Sequence, residues 1–200
     1  MRTYLVNHVL SQPDWSNIPI LSIDQHLWSD VRTIIPSAQL AWDENALYVR
    51  LQAVEPHIRR EYNGTLDPVW LDSCLEFFFC PEQHSNRYFN FECNPNGSLF
   101  VGFGNPSNER CRLHRQDWKS LLQLTIFESS GSWGLEMRIP VSFIKIFVPE
   151  FELYSGLTLR ANFYKCGDLT KQEHYIAWNP IDVSCRSFHS PQFFGKIQFL

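Results

Sequence analysis

The 200-residue sequence has no long apolar run, no block of like charge and almost no helical periodicity. The first absence excludes a membrane-spanning helix, which needs about 20 consecutive apolar residues. The N-terminal stretch MRTYLVNHVLSQPDWSNIP carries one Arg and no continuous apolar segment before polar residues and Pro intervene. It does not read as a signal peptide, and the expected location is the cytoplasm. With 17 basic and 21 acidic residues scattered to a net charge of −4, neither nucleic acid nor an anionic membrane is expected as a partner. There is no Gly-rich phosphate loop, no nucleophile elbow and no His-Glu-x-x-His helix. Besides the initiator the chain has a single Met, Met137, which alternates with Leu135 and Ile139 as a core residue and so leaves no Met–His haem ligation. The six Cys are expected to be free thiols in a reducing compartment. Cys74 and Cys80 on one strand would lie about 20 Å apart, far beyond the roughly 7 Å a disulfide spans.

What is present is short alternation bounded by Pro, Gly, Asn and Asp, from one end to the other. Strands are predicted at 38–42, 46–54, 73–80, 87–93, 98–103, 121–128, 133–139, 157–166, 174–178 and 195–200, with turns at WDEN (42–45) and NPNG (94–97). One helical turn is expected in PVSFIKIFV (140–148). The 44% hydrophobic content suffices for one substantial core. The reading is an all-β, antiparallel β-sandwich forming a single domain over residues 1–200.

Successive strand side chains point to opposite faces, so the pattern assigns an inner set: Leu47, Val49, Leu51 and Ala53; Leu75, Phe77 and Phe79; Phe89, Phe91 and Cys93; Leu159, Ala161 and Phe163. The opposite face carries Arg50, Glu76, Asn90, Glu92, Arg160, Asn162 and Tyr164. A solvated sheet surface with cross-strand ion pairs, such as Glu76 with Arg50 or Arg160, explains such a face in most antiparallel proteins. Planar donors and acceptors beside aromatic rings also suit the hydroxyls and apolar ring faces of a sugar.

The ordered segments AQLAWDENALYVRLQAVEP (38–56), VWLDSCLEFFF (69–79), YFNFECNPNG (88–97), SWGLEMRIP (132–140), LRANFYKCGD (159–168), YIAWNP (175–180) and SFHSPQFFGKIQFL (187–200) resemble family 9 of the carbohydrate-binding modules over almost the whole chain. The resemblance implies a β-sandwich of jelly-roll type with no catalytic activity. It also implies a sugar or glycan end held between two aromatic side chains, and often structural Ca²⁺. Carried over by position, Trp70 takes the role of the first aromatic, Glu76 that of the carboxylate that accepts sugar hydroxyls, and Phe188 that of the second aromatic. Asn90, Glu92, Arg160 and Asn162 are the further candidate ligand-binding residues. Arg50 and Arg160 are candidates for an arginine the family carries where this chain has Phe89.

Two other functions are weighed beside this one. Glu76 and Glu92 share a face and could supply the two carboxyls of a glycoside hydrolase. The polar face could instead be a protein-interaction scaffold. Cys111 with His114 and Cys185 with His189 offer zinc-type ligands at spacings that fit no standard finger. Asp67 and Asp72 are the oxygen donors nearest Trp70 for a Ca²⁺ ion, although the dense acidic loop of a strong site is absent.

Overall fold

The computed structural model describes residues 1–106 and 110–200. Fourteen strands follow in chain order: β1 (Thr3–His8), β2 (Leu21–Ser22), β3 (Gln25–Leu27), β4 (Ile35–Asp43), β5 (Ala46–Val54), β6 (Cys74–Cys80), β7 (Tyr88–Cys93), β8 (Leu99–Gly104), β9 (Cys111–Leu113), β10 (Thr125–Ser129), β11 (Ser132–Pro140), β12 (Thr158–Gly167), β13 (His174–Ala177) and β14 (Gly195–Phe199). One-turn helices occupy Trp118–Leu121 and Val141–Ile144, the second inside the segment where a turn of helix is expected. The predicted strands all appear, shifted by a few residues at most. β1, β2, β3 and β9 are additional, and apart from β1 they are only two or three residues long, too short for alternation to register.

The strands form one continuous hydrogen-bonded path, β10-β11-β5-β4-β1-β14-β12-β6-β7-β8-β9, with β2 on β4, β13 on β12 and β3 on β13. The path curls so that β4, β5 and β11 face β6, β7, β8 and β12 across a shared core, a β-sandwich. Pairing is antiparallel except at β1, which runs parallel to both β4 and β14 and joins the two halves. That parallel strand departs from the purely antiparallel expectation. A two-residue turn joins β4 to β5, and Gly97, at φ +73°, closes the turn between β7 and β8 where a side chain would be strained.

The inner set assigned by alternation is the core. Leu47, Val49 and Leu51 pack in one cluster with Leu75, Phe77, Phe79, Phe89, Phe91 and Phe163. The Phe77 ring lies 5.0 Å from Phe163 and 5.3 Å from Phe79, near-parallel in both cases. Each such ring removes 150–250 Å² of apolar surface from water, which makes this stack the main source of the sandwich's stability.

The outer faces of the two layers differ. On β5 and β11, Arg50 and Glu136 sit directly opposite each other and form a half-exposed ion pair at 2.9 Å. On β6, β7 and β8 every residue of both faces is buried. The cover is the chain after β13, which brings Phe188, Phe193 and Phe194 onto Phe78, Tyr88 and Tyr164. Asn162 fastens this cover: its Oδ1 accepts from Asn179 N (2.8 Å) and its Nδ2 donates to Asn179 O (3.1 Å). Asn179 Nδ2 in turn donates to Phe193 O (2.6 Å).

Candidate functional site

The cover leaves one end of the outer face of β6–β8 open, and there a cavity of about 550 Å³ forms, within the size range of small-molecule sites. Its floor is built by register. Glu76 on β6 lies directly across from Glu92 on β7 and from Tyr164 on β12. Both carboxyls line the cavity, and their residues are 2% and 4% exposed. Glu76 Oε1 accepts from Cys166 Sγ at 3.0 Å, and Glu92 Oε1 accepts from Asn90 Nδ2 at 2.6 Å. Burial, reinforced by Cys166 and by Glu92 itself, raises the Glu76 pKa well above the carboxylate range. Burial pushes Glu92 up to about 7, against the opposing pull of the Asn90 hydrogen bond and Arg110. Burial thus disfavours the charged form of both carboxyls, and a protonated carboxyl can donate a hydrogen bond where a carboxylate only accepts.

The walls are aromatic. Trp70 stands on a one-turn 3₁₀ helix (Val69–Leu71), half-buried and edge-on to Phe100 at 5.4 Å and 90°. Its backbone oxygen accepts from Asp168 N (3.2 Å), and the ring packs against the small buried cluster of Val69, Cys74, Phe100 and Cys166, so main-chain bonds and packing both position it. Phe188 stacks on Tyr164 with 4.2 Å between centroids and 9° between planes, and the Tyr164 hydroxyl donates to Phe188 O (3.1 Å). Trp28 leans on Phe188 at 5.6 Å and meets Tyr175 edge-on at 5.5 Å. Trp28 adopts φ +54°, an uncommon conformation for a bulky residue, and its Nε1 donates to Val183 O (3.0 Å). Such strain is retained where surrounding structure over-determines it.

The rim is cationic. Arg110, Arg112 and Arg186 line the cavity together with Asp168. The Arg110 guanidinium lies over the Tyr88 ring (4.4 Å), and its Nη2 donates to Asn90 Oδ1. Arg112 lies over Phe100 at 5.6 Å. Gly102, opposite Asn90, makes room for this arrangement, because a Cβ there would come within 2.5 Å of Asn90 Oδ1.

Of the candidate residues read from the sequence, Trp70, Glu76, Glu92 and Phe188 line this one cavity. Asn90 stands directly behind it, bridging Glu92 and Arg110. Arg160 lies elsewhere: its guanidinium holds Ser85 O, Asn86 Oδ1 and Pro191 O. Asn162 is spent on Asn179, and Arg50 sits on the opposite layer beside Glu136. Neither arginine pairs with Glu76. The alternation that grouped these side chains on one face ignores how far along a strand each sits and what folds over it. Trp28, Tyr175, Asp168, Arg110, Arg112 and Arg186 were missed. The available signal was an aromatic placed in a polar loop, HLWSD, and the close spacing of arginines in RCR (110–112).

Asp67 and Asp72 do not fit a Ca²⁺ site, because N–H donors already point at them. Asp72 accepts from Glu61 N, Tyr62 N and Asn94 Nδ2, with Arg59 Nη1 3.2 Å away, and Asp67 accepts from Asn63 N and Gly64 N. Among the described residues the one cluster with metal-ligand types is Cys74, Glu76 and Cys166, whose ligand atoms lie within 4.8 Å of one another. The two pairs Cys111–His114 and Cys185–His189 are not gathered into a four-ligand set. Cys111 is exposed and Cys185 Sγ lies 3.0 Å from Ser190 Oγ.

The open cavity, with aromatic walls and paired carboxyls at its floor, lies on the outer face of a β-sandwich. The chain belongs to carbohydrate-binding family 9, whose sequence model matches residues 6–199. Among solved structures it is similar to a candidate carbohydrate-binding protein from Bacteroides uniformis, at 28% identity and a TM-score of 0.84, covering 100% of this chain and 99% of that one. Two structures of a family 9 module from Caldicellulosiruptor kristjanssonii share the fold at 14% identity. The complex with glucose has a TM-score of 0.69 and covers 100% of this chain and 96% of that one. The complex with cellotriose has a TM-score of 0.68 and covers 99% and 93%. No curated protein sequence matched the chain.

Proposed function

We propose that this protein binds a monosaccharide or the end of a glycan in the Trp70–Phe188 cavity and does so without catalysis. The observation that carries the reading is the pairing of Glu76 and Glu92 at the base of a cavity walled by Trp70, Trp28 and Phe188. A pyranose ring offers apolar faces for the indoles and equatorial hydroxyls for the carboxyl groups. A protonated carboxyl in the floor can donate to one hydroxyl, and a carboxylate can accept from another. Family membership supports carbohydrate binding, as do the relatives solved with glucose and cellotriose.

Glycoside hydrolysis needs one carboxyl beside the leaving oxygen and a second on the other side of the scissile bond. Here both lie side by side in the floor on adjacent strands, on one side of any ligand in the cavity. Affinity should be modest, with Kd of roughly 10⁻⁴–10⁻⁶ M for two stacked rings and a few solvent-competed hydrogen bonds. The test is intrinsic Trp fluorescence during titration with glucose, cellotriose and a panel of mono- and disaccharides, in parallel with Trp70→Ala. A saturable change in the native protein is expected, with a loss of at least about thirtyfold in affinity for the variant. A flat response to every sugar removes the reading, and an equally large drop in melting temperature for Trp70→Ala assigns that side chain to packing instead.

A further inference from the structure

Three guanidinium groups surround the cavity, and among the described residues none of them makes an ion pair with a carboxylate. Arg2, Arg32, Arg50, Arg59, Arg60, Arg87 and Arg115 all pair with Asp or Glu elsewhere on the molecule. Arg138 and Arg160 make no ion pair among the described residues and rest on Tyr48 and on neutral oxygens, and Arg110, Arg112 and Arg186 make none either, although acids line the same cavity. The cause is visible at Arg110. Its Nη2 bonds to Asn90 Oδ1 while Asn90 Nδ2 bonds to Glu92 Oε1, so the amide is interposed between the cation and the nearest carboxyl. Arg110 Nη1 is buried with no hydrogen-bond partner. A partly desolvated guanidinium with an unpartnered N–H, and among the described residues no direct ion pair, is costly unless an acceptor arrives to meet it.

Two of the three acids in the cavity, Glu76 and Glu92, lie in its floor, where burial disfavours their charged forms, so they are weak counter-ions for the three guanidinium groups. Arg112 and Arg186 are exposed at the rim, where a substituent projecting from a bound sugar would meet them.

Resting on the sugar-binding reading, we propose that the preferred ligand is a sugar carrying one anionic substituent, a ring carboxylate or a sulfate ester, which the Arg110, Arg112 and Arg186 side chains receive. The planar fork of a guanidinium matches the two oxygens of either group with paired, charge-assisted hydrogen bonds. A hydroxyl or ester oxygen of the neutral counterpart can accept from the same guanidinium N–H groups only without charge assistance, so discrimination arises from the stronger bonds made to the anionic oxygens.

The experiment is isothermal titration of the full chain near neutral pH with glucuronate, galacturonate and glucose 6-sulfate. Glucose, galactose and the methyl ester of glucuronate, which keeps the shape and removes the charge, serve as neutral counterparts. At least one anionic sugar is expected to bind about tenfold or more tightly than its neutral counterpart, with the preference shrinking as salt is raised. Comparison of the uronate and sulfate arms then identifies the substituent. In Arg112→Gln and Arg186→Gln the ratio of anionic to neutral affinity should fall several-fold, and in the double variant it should fall further, to the preference that Arg110 alone supports. Both positions are exposed, so folding is preserved. Glucose binding as tightly as glucuronate and glucose 6-sulfate overturns this proposal and leaves the sugar site standing. An unchanged ratio in the double variant also overturns it. Absence of binding by every sugar overturns both readings together.

Discussion

The outer faces of the two layers obey the same alternation and meet opposite fates. On β5 and β11 the outward residues Arg50 and Glu136 remain half in water, pair with each other, and need nothing above them. On β6, β7 and β12 the outward residues Glu76, Asn90, Glu92 and Asn162 are buried, and each must find a partner or shift its ionisation. The first face needs no further explanation than solubility. The second is a polar surface taken out of water by the chain after β13, and the part left uncovered is the cavity. The candidate site lies on the face where polar groups are taken out of water.

That contrast can be broken from either side. The largest effect on stability is expected at Asn162→Ala, which strips two hydrogen bonds from the joint between β12 and the cover and one from Phe163 N within β12, and leaves Asn179 N and O buried without partners. A loss of about 2–4 kcal/mol in urea unfolding is expected. A loss below about 0.5 kcal/mol would mean that the cover is held by its Phe residues alone.

A smaller effect follows from Glu92, whose folded-state pKa of about 7 lies above the ordinary carboxylate value of 4.5. Its protonated form is the one the fold prefers. The contribution is fully present below pH about 4.5 and is lost as pH rises through about 7, where the unfolded chain has already released the proton. Glu92→Gln should flatten the decline in melting temperature between pH 5 and 8, and an unchanged slope would show that Glu92 does not carry it.

The smallest effect is expected on the open face. The double variant Arg50→Ala/Glu136→Ala should cost less than about 1 kcal/mol beyond its single-site terms, because exposed pairs are screened and entropically costly. A coupling of several kcal/mol would show that the two faces are less different than their burial suggests.

The legible part of the structure was what repeats. Alternation in ALYVRLQAV and SCLEFFFC places Leu47, Val49, Leu51, Leu75, Phe77 and Phe79 on the inner face, and these residues share one core. Trp70 and Glu76 came from a resemblance in pattern, and they line one cavity. Trp28 was not legible, since its ring reaches the cavity only through a left-handed turn and a bond to Val183 O, 155 residues away. Arg160 and Asn162 share the face of Glu76 in the pattern but lie where the cover lands. Lys165 continues the inner set of β12 beyond Phe163 and is fully buried, held by Glu55 (3.2 Å) and His174 (2.8 Å). No local signal distinguishes such a lysine from a surface one.

The sequence by itself determined the strand alternation, the apolar set that must meet across a sandwich, and membership of a sugar-binding family, because these follow from period, composition and ordered motifs along the chain. Tertiary structure alone decided which polar residues lost their water. Burial depends on which distant segment folds over a strand, and that contact shifts the ionisation of Glu76 and Glu92, places Trp28 against Phe188, and leaves Arg110 Nη1 without a hydrogen-bond partner among the described residues.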